Sequence, residues 1–160
     1  MDYSFLINLA YSHYILASII IGFLSSFTIF IPSPFFVLVF FIANHFNPFW
    51  VGIFAGFGSA VGELTSYYTG FLSERIFFKK FEKYLNKVEL IFQKYNPNFV
   101  IFFLSATPSP FDAVGIFCGL IKYNLKHFFL FTFLGKVLKY WFIAYAGYYG
   151  LTFLTHYFTF

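Results

Sequence analysis

The sequence predicts an all-α integral membrane protein built as an inverted repeat. Each half is a re-entrant helical hairpin followed by a transmembrane helix, and a central amphipathic interfacial helix joins the halves. Three observations carry this expectation. Hydrophobic residues make up 60% of the 160 positions and charged residues 10%, against about 25% charged in a soluble domain. The stretch Pro32-Ser33-Pro34-Phe35 returns as Pro108-Ser109-Pro110-Phe111, each time inside a long apolar run. Six of the ten Lys and Arg fall between Ser73 and Asn98.

The expected single membrane domain, 1–160, divides in chain order. Residues 1–24 form a first span, since crossing a bilayer takes about 20 apolar residues. Asp2 without a basic neighbour is not the start of a cleaved signal peptide, so this run is expected to stay. Residues 25–72 form repeat 1. Its hairpin turns at Pro32 and Pro34, because proline fixes φ, lacks an N–H and breaks a helix. A break at membrane depth survives only inside protein or against a water-filled cavity. Asn47-Pro48 restarts the chain as a span to Leu72. Gly58, Gly62 and Gly70 lie in that span, where small residues let helices approach closely.

Residues 73–98 change character. Phe77, Phe81, Tyr84, Leu85, Val88, Phe92 and Tyr95 recur at helical spacing among Lys, Arg and Glu, the pattern of an amphipathic interfacial helix. Residues 99–150 form repeat 2: a hairpin broken at Pro108 and Pro110, then a span; Gly119, Gly135 and Gly147 are its expected packing glycines. Residues 151–160 form an aromatic tail. Counted from the two Pro-Ser-Pro-Phe copies, Gly58, Tyr68 and Gly70 match Gly135, Tyr145 and Gly147 once one residue is allowed as an insertion, which supports the repeat. The basic linker is expected in the cytoplasm of a plasma-membrane protein. Two spans precede it, so the N-terminus is expected there too. The first hairpin then enters from outside and the second from inside.

These residues resemble the DedA family, also called SNARE-associated or VTT-domain membrane proteins. Gly58-x-x-x-Gly62-Glu63-x-x-x-Tyr67-x-x-Gly70 is similar to the family's G-x-x-x-G-[DE]-x-x-x-Y-x-x-G. Pro108-Ser109-Pro110-Phe111-Asp112, running into Cys118-Gly119, is similar to its proline-centred hairpin. Gly135-Lys136-x-x-Lys139-Tyr140 is similar to a motif of its small YqaA-like branch. Many bacterial members flank the second turn with two arginines, where this chain has Ser105 and Phe111. Many also carry acids at the first turn, and none lies between Leu24 and Phe36 here. The resemblance implies a lipid flippase or scramblase with facing re-entrant hairpins.

The candidate transport residues are Glu63, Asp112, Lys136, Lys139 and Tyr67. An intramembrane charge costs about 2.5–3.5 kcal/mol on insertion scales and normally has a partner. The repeat alignment sets Lys139 opposite Gly62, so a Glu63–Lys139 pair is expected, with Lys136 as the alternative. Such a pair either binds a phosphate or proton or simply ties the halves together. Asp112 is either a cavity-lining acid or the N-cap of the helix that follows. Cys118, the single cysteine, is expected to be buried and inert. The four histidines show no metal-ligand spacing, and neither a phosphate loop nor a nucleophile elbow is present. No metal, cofactor, enzymatic chemistry or nucleic-acid partner is therefore expected; the partners are membrane lipids with anionic or phosphorylated headgroups. Movement of a phospholipid or polyprenyl phosphate between leaflets is the first expectation. The alternatives are a proton-coupled carrier of a small ion or solute and a non-transporting scaffold. A cavity open sideways to lipid favours the first, a closed central site the second, and a dry packed midplane the third.

Overall fold

The computed structural model describes residues 3–27, 35–72, 76–107 and 111–158, and these are helices and short turns without a strand. The order is α1 (Tyr3–Phe27), α2 (Phe35–His45), α3 (Pro48–Leu72), α4 (Ile76–Lys94), α5 (Pro97–Ala106), α6 (Asp112–Leu120) and α7 (Leu125–Phe158). The turn prolines Pro32, Pro34, Pro108 and Pro110 lie outside the described residues.

Asparagine starts three of the helices. The side chain of Asn47 accepts from Phe49 N–H at 2.9 Å, that of Asn96 from Asn98 N–H at 3.0 Å, and that of Asn124 from Lys126 N–H at 3.0 Å. Each satisfies an N–H that the first turn leaves without a carbonyl partner. Pro48 and Pro97 follow the first two caps, where a missing N–H costs nothing. Asp112 is not an N-cap. It is the first residue of α6, whose cap position is Phe111 and carries no side-chain cap.

Length and composition separate the helices. Leu125–Gly150 is the one stretch, among the described residues, both long and apolar enough to cross a membrane. Residues 151–158 of the expected tail continue α7, whose 34 residues reach about 51 Å. The expected spans 1–24 and 47–72 become α1 and α3, each of 25 residues. Glycines, serines and Glu63 lower the apolarity of α3. With 10 and 9 residues, α5 and α6 are each too short to cross.

The centre is α3, which touches α1, α6 and α7, while α2 and α5 lie against α7 and α4 against α6. Its small residues explain that position. A Cβ on Gly52 would lie 2.2 Å from the Trp141 ring, and one on Gly56 2.8 Å from Val137 Cα. A Cβ on Gly58 would meet the Ile19 carbonyl, and one on Gly70 would lie 2.0 Å from the Ile116 carbonyl oxygen. Three neighbours therefore reach the α3 backbone itself.

Candidate functional site

Ser59, Glu63, Ser66 and Tyr67 recur at steps of four, three and one along α3 and share a buried face. The α7 helix lies antiparallel on α3, with Val137 against Gly56 and Trp141 against Gly52. That register brings Lys136 onto Glu63, Nζ to Oε1, at 2.5 Å. Glu63 is 3% exposed and Lys136 4%.

Polar groups from α1 complete the centre. Lys136 Nζ donates to Ser26 Oγ at 3.3 Å, and Ser26 Oγ shares a hydrogen bond with Ser59 Oγ at 2.5 Å. Ser25 hydrogen-bonds the Tyr140 hydroxyl. The Lys136 ammonium also stands 5.3 Å from the centroid of the Phe111 ring, a favourable place for a cation. Two buried oxygens, Glu63 Oε2 and Thr132 Oγ1, have no hydrogen-bond partner among the described residues.

The partner of Glu63 is thus Lys136 and not Lys139. Three residues along a helix turn the side chain by about 60° from full register. Lys136 therefore faces α3 while Lys139 is only half-buried, with no hydrogen bond or ion pair among the described residues. Equivalence in a repeat does not by itself produce contact, and the glycine-set register of α7 decides it instead. Asp112 accepts from Ser66 Oγ at 2.9 Å, tying the start of α6 to α3 next to the pair. Tyr67 is committed elsewhere: its hydroxyl donates to the Tyr123 carbonyl at 2.5 Å, and its ring packs with Phe71 and Phe128.

Of the expected packing glycines, Gly58 meets α1, Gly70 and Gly119 join α3 to α6, Gly135 meets α5 and Gly147 meets α2. Gly62 is buried on α3 beside Glu63. Ser26, Ser59, Ser66 and Tyr140 were not among the expected site residues. Their signal was present on α3, where Ser59 precedes Glu63 by one turn. Ser26 had none, since serine in an apolar run more often hydrogen-bonds its own helix backbone.

The centre sets a carboxylate, one oxygen of which lacks a hydrogen-bond partner among the described residues, against an ammonium and two serine hydroxyls, inside an apolar helical bundle. The family model of the VTT domain matches residues 30–149, most of the chain and all of this centre except the α1 serines. No curated protein and no solved structure matches.

Proposed function

This chain belongs to the VTT-domain family of membrane proteins, the DedA or SNARE-associated group, and on that premise we propose that it moves a lipid with a phosphorylated headgroup between leaflets. One observation carries the reading, the buried Lys136–Glu63 pair with its serine neighbours. A lysine at membrane depth is costly, and a purely structural helix contact needs none. Lys136 is the group that would meet the phosphate, and Glu63 holds its charge when no lipid is present. Lys139, one turn along, is the second cation on the path.

Reciprocal packing supports the inverted repeat that such movement needs. Gly70 of α3 meets Ile116 of α6, and Gly147 of α7 meets Phe40 of α2. Gly70 and Gly147 each stand twelve residues after their matching glycines, Gly58 and Gly135. Phe40 and Ile116 each stand eight residues after the opening proline of their own Pro-Ser-Pro-Phe. The short α2, α5 and α6 around the two proline stretches fit re-entrant arms.

Enclosure of the same centre favours a second reading, a proton-coupled carrier of a small ion or solute. Glu63 Oε2 has no hydrogen-bond partner among the described residues and is free to take a proton. Leaflet exchange of a fluorescent phospholipid or polyprenyl phosphate in liposomes, with and without a pH gradient, separates the two. Exchange that persists without a gradient and fails in Lys136→Met protein that is still folded and inserted supports lipid movement. Solute uptake that collapses with the gradient, with no lipid exchange, supports the carrier.

A further inference from the structure

A shallow, open groove of about 350 Å³ lies between α3 and the start of α7, and neither Lys136 nor Glu63 lines it. Val61 and Leu64 form one wall and Leu125 and Phe129 the other, with Lys126 at one end. Phe57, one turn before Val61, packs edge-on against Phe129 and Phe133 and continues the apolar wall.

We infer that this groove binds one acyl chain of an anionic phospholipid, with the headgroup phosphate against Lys126. The walls give water no hydrogen-bond partner, so in a membrane protein an apolar chain fills such a space. Asn124 caps α7 by accepting from Lys126 N–H and His127 N–H, which holds the base of the Lys126 stem at the groove's end. Lys126 is exposed and makes no ion pair among the described residues.

The surroundings select the anionic headgroup. Tyr123 donates its hydroxyl to Asn98 at 2.6 Å and its ring meets Phe92, which draws α4, the start of α5 and the turn before α7 to one end of the molecule. Lys83, Lys87, Lys94 and Lys122 are exposed on those elements. Such a basic end enriches anionic lipid in the leaflet that it meets. The site is distinct from the transport centre and stands whether or not the chain moves lipid.

The test is equilibrium binding to the purified full chain in detergent, by native mass spectrometry and thermal shift. The probes are phosphatidylglycerol, phosphatidylcholine with the same acyl chains, and inorganic phosphate. Wild type should bind phosphatidylglycerol the more tightly of the two lipids. Lys126→Gln, an exposed change that keeps the fold, should weaken phosphatidylglycerol about fivefold and leave phosphatidylcholine unchanged. Val61→Trp, which fills the groove, should weaken both lipids. Equal binding of the two lipids by wild type would overturn the site, as would Lys126→Gln binding like wild type. Competition by inorganic phosphate at the same concentration as lipid would make it a free-anion site instead. A dimer mass that Val61→Trp abolishes would give the groove to a second copy of the chain. Leaflet exchange is not read here, so failure of the transport reading leaves this outcome untouched.

Discussion

Lys136 is where a single substitution should cost most. Removing its charge leaves Glu63 buried and unpaired, and breaking a buried pair from one side costs about 3–5 kcal/mol. Lys136→Met should therefore lower the midpoint of thermal or denaturant unfolding sharply, and Glu63→Gln should do the same from the other side. The double change should cost clearly less than the two singles added together. Lys139→Met should be mild in the same assay, because Lys139 makes no ion pair among the described residues. Equal losses for the two lysines would remove the assignment of Lys136 as the partner. Tyr67→Phe tests a smaller contact. It removes the donor to the Tyr123 carbonyl while keeping the ring, and should cost about 1 kcal/mol without changing transport.

At the scale of helices, glycine governs contact. A Cβ on Gly70 or on Gly147 would lie 2.0 and 2.2 Å from the facing carbonyl oxygens of Ile116 and Phe40. Neither backbone can yield as a flexible side chain would, so α6 must leave α3 in one case and α2 must leave α7 in the other. Gly70→Leu and Gly147→Leu should each destabilise by about 1–3 kcal/mol. If the halves are equivalent in function, both should also slow transport to a similar degree. A large effect from one and none from the other, in folded protein, would count against that equivalence. The α4 helix obeys different physics. Val88 is buried and Phe92 packs edge-on against Phe117, while Lys83, Lys87 and Lys94 are exposed. Among its described side chains only Val88 and Phe92 are turned inward, and α4 should exchange amide hydrogens faster than α3.

For the whole molecule, the distribution of charge predicts orientation. Apart from Lys136 and Lys139 on α7, every Lys and Arg lies in the linker of 73–98 or in the turn around Lys122 and Lys126. Contacts of Phe92 and Asn98 with Tyr123 draw these two regions together. Trp50, Trp141 and Phe49 cluster at the other end of α3, the composition of an interfacial aromatic belt. Cysteines introduced at Asn44 and Lys83 should therefore label from outside and from the cytoplasm respectively. The native Cys118 is buried and stays silent. Labelling of both from one side would reverse the topology.

Sequence alone determined what depends on composition and local spacing. Low charge content and long apolar runs mark a membrane chain, because hydrocarbon admits little else. Asparagine and proline mark the helix starts, because capping is settled within three residues. The Gly-x-x-x-Gly-Glu and Pro-Ser-Pro-Phe motifs are likewise legible as a family pattern. Which lysine meets Glu63 was not legible, since Lys136 and Lys139 are near neighbours on one helix and only rotation and register distinguish them. Those are set by Gly52 and Gly56 meeting Trp141 and Val137, residues distant in the chain. The serines had the same standing. Ser26 joins Ser59 and Lys136 only because Gly22 and Gly58 let α1 lie close on α3. Local chemistry wrote the elements, and the depth at which helices interlock through glycine decided which polar groups share one buried centre.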